Sequence, residues 1–157
     1  MGESLKRNVR RSQVDMEIIP KVGIGPLCFG MTPGQVRTLF SEPETYEDWM
    51  GGNLNDSILY RGLIIEFDLC DALGPLASSK FREVHLHRRE DAILWGKYIL
   101  DWCKSDAIDY LESNGIVYRL SNCGDLSVPQ SSLALSFDDL DRLEHLEMWS
   151  EDFVETV

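Results

Sequence analysis

Val22-Gly-Ile-Gly-Pro-Leu-Cys-Phe-Gly-Met-Thr-Pro-Gly-Gln-Val-Arg-Thr-Leu-Phe40 decides how this chain is read. Leu27-Cys-Phe29 is short and apolar, and a helix follows it at once. Thr32 is a suitable N-cap, Pro33 suits the first helical position, and Gln35 completes a capping box. Met31 and Val36 have the spacing of a hydrophobic staple. Val36, Leu39 and Phe40 then share one helical face. Pro43 marks the stop. An extended lead-in turning directly into a capped helix predicts a compact α+β unit.

Downstream, Ser57-Ile-Leu-Tyr-Arg61 and Leu63-Ile-Ile-Glu-Phe67 read as two strands around Gly62. Phe81-Arg-Glu-Val-His-Leu-His87 alternates, with Val84 and Leu86 on one face and Glu83, His85 and His87 on the other. Residues 92–100 are ambiguous between helix and strand, and a helical stretch is the reading taken. Ser105 is expected to cap a helix that ends at Asn114-Gly115. Ile116–Leu120, Ser132–Phe137 and Leu143–Trp149 read as strands. The two halves resemble each other. Val36 and Leu39 match Ile108 and Leu111 at an offset of 72. Leu63–Asp68 matches Leu133–Asp138 at 70, and Val84 and Leu86 match Leu146 and Met148 at 62. The pattern predicts an α+β fold of duplicated tandem units, each a helix plus antiparallel strands, with the helices on one face of the sheet. Residues 1–14 are expected to form a flexible basic arm, 15–90 the first unit and 91–157 the second, the two packed as one compact domain.

The formal net charge is −12 over 157 residues. Lys6, Arg7, Arg10 and Arg11 against Glu3 give residues 1–14 a balance of +3, so the remainder carries −15. So acidic a body repels nucleic acid and anionic membranes, and attracts a basic partner. Solubility alone also accounts for such a charge. No apolar run is long enough to span a bilayer and no secretory signal is present, which predicts a cytoplasmic protein. Cys28, Cys70, Cys103 and Cys123 lack zinc or redox spacing, and are expected to be reduced and partly buried.

Gly30-Met31-Thr32, Val36-Arg37-Thr38-Leu39-Phe40 and Glu42-Pro43 together resemble a signature of the outer-membrane-assembly lipoproteins of the SmpA/OmlA type. The same unit, duplicated, occurs in the β-lactamase inhibitory proteins (BLIP), and cytoplasmic immunity proteins of bacterial polymorphic toxin systems look similar. Ser41 departs from the lipoprotein pattern, where Gly is usual. The resemblance implies a BLIP-like fold and a non-enzymatic binding role.

No nucleotide-binding loop is complete, because Cys28 stands where Gly23-Ile-Gly25 would need its third glycine. His85 and His87 share a strand face and, with Glu83, could grip a divalent cation, but they read better as solvent-facing residues of a partner surface. We expect no catalytic, cofactor-binding or metal-binding residue. The expected partner-binding set is Tyr46, Glu47, Asp48 and Trp49 in the long polar loop, His85 and His87, and Asp138, Asp139, Asp141, Glu144, Glu147 and Trp149. Trp95, Trp102 and Tyr98 read as core. The function expected is that of an immunity protein that occludes a cognate basic toxin, such as a nuclease. The alternative is a non-enzymatic adaptor or scaffold.

Overall fold

The capping box forms as its residues dictate. In the computed structural model, which describes residues 16–45 and 55–151, the Thr32 hydroxyl accepts from Gln35 N at 3.3 Å and Gln35 Oε1 accepts from Thr32 N at 2.9 Å. The helix it starts, α1 (Pro33–Leu39), is only 7 residues long and buries Pro33 and Val36. Before it come three short strands, β1 (Met16–Ile19), β2 (Gly23–Ile24) and β3 (Leu27–Cys28). After it come β4 (Ser57–Tyr60), β5 (Leu63–Phe67), the small hairpin β6 (Cys70–Asp71) and β7 (Gly74–Pro75), and β8 (Phe81–His87). The second half holds β9 (Ala92–Leu94), β10 (Lys97–Tyr98), α2 (Lys104–Ser113), β11 (Arg119–Leu120), β12 (Leu126–Val128), β13 (Leu133–Phe137) and β14 (Leu143–Trp149).

These strands overturn the expected fold class. The described residues are mostly β, with 41% strand against 18% helix, rather than α+β in tandem helix-plus-strand units. A seven-stranded antiparallel sheet runs β11-β12-β13-β14-β8-β5-β4, a five-stranded sheet runs β10-β9-β1-β2-β3, and β6-β7 stand alone. The physical reason lies in residues 16–28 and 92–98. Both stretches pair edge to edge in the second sheet instead of covering the first with helix. The run 92–100, read as helical, turns back at Trp95-Gly96. Both residues have positive φ, 50° and 80°, as a two-residue hairpin turn requires.

The residue offsets between the halves are nevertheless present in the ladders. Leu63 pairs with Leu86 and Ile65 with Val84; at offsets of 70 and 62, Leu133 pairs with Met148 and Leu135 with Leu146. Both ladders slip at the equivalent point, Glu66/Phe67 and Ser136/Phe137. Ile18 of β1 pairs with Ile24 on one side and Leu94 on the other, again 70 apart. The helices follow an offset of 71, not 72. The cap of α2 is Cys103, not Ser105, and its buried residues are Ala107 and Leu111. Leu39, which was expected to match Leu111, is 49% exposed.

One core takes residues from both halves, including Val36, Leu63, Phe81, Val84 and Leu86, and Ala107, Leu111, Leu133, Leu135, Leu146 and Met148. Trp102 is buried, with its indole N–H donating to Leu94 O at 2.9 Å. Trp95 packs at the core margin and stacks on Tyr110, whereas Tyr98 is exposed, against expectation. Cys28, Cys70 and Cys123 are exposed rather than partly buried, and Cys103 is half-buried. Among the described residues, no helix is long and apolar enough to cross a membrane.

Gly62 turns β4 into β5 with φ +67°, and a Cβ there would lie 2.7 Å from His87 O. Gly62→Ala therefore combines backbone strain with a clash against backbone, and should cost about 2 kcal/mol or more. Gly34→Ala, in open space on α1, should be neutral or stabilise by up to about 1 kcal/mol. Urea unfolding of both variants checks the contrast, and equal midpoints would contradict it.

Candidate functional site

Alternation along β8 sends Val84 and Leu86 into the core and Glu83, His85 and His87 to the opposite face. The antiparallel register then sets β14 beside it. Glu83 faces Trp149, His85 faces Glu147, and His87 faces His145. On the other side β5 places Ile64 beside His85 and Glu66 beside Glu83. Three strands thus bring Glu66, Glu83, His85, His145 and Glu147 together at the middle of the larger sheet.

His85 is the hub. It is only 4% exposed, which corrects its reading as a solvent-facing residue. Its Nε2 lies 2.6 Å from Glu83 Oε2 and 3.0 Å from Glu66 Oε2. Its Nδ1 faces Glu147 Oε2 at 3.5 Å and makes no hydrogen bond. The rings of His85 and His145 are 5.8 Å apart, and those of His87 and His145 6.1 Å. Arg82 Nη2 holds the far oxygen of Glu66 at 2.7 Å.

This crowding moves protons. Burial opposes charge on His85, but the hydrogen bonds to Glu66 and Glu83 and the charges of Glu83 and Glu147 outweigh it, raising its pKa to about 9. Burial, then the neighbouring His85 and His87, push His145 down to about 4. Burial also raises Glu147. Partial burial works against the Glu66 anion, yet its pKa is lowered, because His85 and Arg82 stabilise that anion.

The expected partner-binding residues divide into separate places. Tyr46, Glu47, Asp48 and Trp49 lie outside the described residues. His85, His87, Glu147 and Trp149 belong to the sheet centre. Asp138 is a turn residue whose Oδ1 accepts from Leu140 N and Arg142 N. Asp141 sits 3.4 Å from Lys104, and Glu144 is held by Arg88 at 2.6 Å. Asp139 is exposed. Glu66 was missed: its place beside Glu83 depends on strand register, and its only sequence signal is the alternation Ile64-Ile65-Glu66-Phe67. Away from the histidines, an open cleft of about 690 Å³ is lined by Lys21, Lys80 and Arg82 but also by Asp68 and Glu151, so neither charge dominates it.

No protein-family model, curated protein or solved structure matches the chain. The geometry is that of a mostly-β protein with a half-buried polar cluster, gathered around the buried His85, at the centre of its main sheet.

The two shifted histidines set opposite limits on stability. His85, raised, stabilises fully below its unfolded pKa near 6.5, and that contribution is lost as pH rises through about 9. His145, lowered, stabilises above about 6.5, and that contribution is lost as pH falls toward 4. Urea unfolding in chelator should show highest stability near pH 6.5. Between pH 6.5 and 9, wild type should lose up to about 3 kcal/mol more than His85→Gln. Parallel profiles for the two proteins would refute the assignment.

Proposed function

We propose that this protein works by stoichiometric binding, as an immunity-type inhibitor that occludes a basic bacterial toxin. The observation that carries the reading is how the chain uses its cations. Arg37, Arg61, Arg82, Arg88, Arg89 and Lys97 each lie within ion-pair distance of a carboxylate of the same chain. Each of these pairs takes up a carboxylate with its cation, so few of the chain's cations are left to meet the remaining acids behind the formal charge of −12. Such a surface disfavours nucleic acid and anionic lipid and speeds encounter with a cationic protein. A nuclease is a fitting target, because a phosphate-binding site must be basic.

Two exposed apolar tips offer anchors beside acidic groups. Leu73, at the end of the β6–β7 hairpin, is 97% exposed, and Leu140, between Asp139 and Asp141, is 74% exposed. A solvent-exposed leucine gains most when a partner covers it.

The test uses acids that the fold does not employ. Asp101 and Asp139 are exposed, whereas Asp138 and Glu144 are bonded within the chain and Glu147 faces His85. Tagged protein used as bait in a bacterial lysate at low salt should retain one basic protein at one-to-one stoichiometry, and that protein should be toxic when expressed alone. Asp101→Lys with Asp139→Lys should weaken capture about tenfold or more, and raised salt should weaken it further. Capture of an acidic partner, or affinity indifferent to both charge reversal and salt, would reject the proposal.

A further inference from the structure

We propose that His85 Nδ1, His145 and Glu147 form a binding site for a zinc-type divalent cation at the centre of the seven-stranded sheet. The donor atoms of the three residues all lie within 4.8 Å of one another. Two imidazoles and a carboxylate are a common zinc donor set, and three protein ligands leave a fourth position for water. The 3.5 Å between His85 Nδ1 and Glu147 Oε2 is at the limit of a hydrogen bond, and none forms. It is, however, close to the edge of a tetrahedron whose ligands stand about 2.1 Å from the metal, which is about 3.4 Å.

The unsatisfied Nδ1 is the strongest observation. The His85 side chain is 5% exposed, so this nitrogen has little access to water. A buried polar atom without a partner calls for a reason. The other ring nitrogen supplies one. Nε2 is taken by Glu83 at 2.6 Å and Glu66 at 3.0 Å, and Glu66 is itself held by Arg82. A carboxylate on the far nitrogen fixes the ring orientation and keeps a proton there, so Nδ1 is the nitrogen that would give up its proton to a metal. That is the usual second layer of a histidine–metal site. Charge points the same way. Glu66, Glu83 and Glu147 converge on the hub, with Arg82 as their cationic neighbour. His85 meets part of that negative charge as an imidazolium, and a divalent ion would take over that role by displacing the Nδ1 proton.

The same side chains offer a second arrangement, Glu66, Glu83 and His85 Nε2. There His85 Nε2 already lies at hydrogen-bond distance from both carboxylates, so an ion would have to break those bonds. The Nδ1 side breaks none made by His85.

The untagged full chain, stripped with chelator and freed of it, should be titrated with Zn2+ by calorimetry and with Co2+ by visible absorbance. One equivalent should bind, and Co2+ should give the intense visible bands of four-coordinate geometry. His145→Ala and Glu147→Gln should each weaken binding more than about 100-fold, and Glu83→Gln, which touches only the second layer, about 10-fold to 100-fold. Glu147 is partly exposed, so its amide variant tests the site without a cavity. The proposal is overturned if the intact chain binds no stoichiometric Zn2+, or if Glu147→Gln binds as wild type does. Loss of binding in Glu66→Gln and Glu83→Gln with Glu147→Gln unaffected would place the ion on the other side of the ring, and would overturn it equally.

Discussion

The β8–β14 ladder is the seam on which the larger sheet depends. It joins β4, β5 and β8 to β11–β14, and it does so through five registered pairs from Glu83–Trp149 to His87–His145. Every second pair faces the core. Sliding one strand by a single residue would turn His85 or Glu147 inward and Leu86 or Leu146 outward. Burying an unpaired charge costs several kcal/mol, so the hydrophobic face and the polar cluster enforce the same register from opposite sides. The polar cluster exists because the ladder is antiparallel. No stretch of either strand alone contains both halves of it.

Buried charge is handled in the same way elsewhere. Arg89, only 3% exposed, is held by Glu42, by Asp91 and by the carbonyl of Arg61. Its guanidinium also lies over the Phe40 ring. The segment after α1, the β4–β5 turn and the segment before β9 thus meet on one side chain. Full pairing is what makes an arginine tolerable at that depth.

Local signals were the legible part of the chain. Thr32, Gln35 and Pro33 marked the helix start, and the alternation of Phe81–His87 and Leu143–Trp149 marked two strands with their correct inner faces. The offsets of 70 and 62 anticipated which rows would pair equivalently. The fold class was not legible, because strands of 2 or 3 residues, such as β2, β3, β9 and β10, are too short to show a period of two. Their pairing partners lie far away in sequence, and that decided sheet over helix. The candidate site was half visible. Glu83, His85 and His87 lay in one strand, but Glu66, His145 and Glu147 join them only through register. The burial of His85 follows from its central strand position, which alternation alone does not reveal.

Strand β1 has a consequence for how the protein is made. It lies between β9, with which it runs parallel, and β2, with which it runs antiparallel, and Met16 pairs with Ala92. During synthesis the first strand therefore emerges long before its second neighbour does. The small sheet cannot close until the ribosome has passed the middle of the chain. Until then β1 carries an open edge, and an open edge can also recruit the β9 of another copy where copies are crowded. High local protein concentration during translation would favour exchanged dimers, whereas dilution would favour the closed monomer.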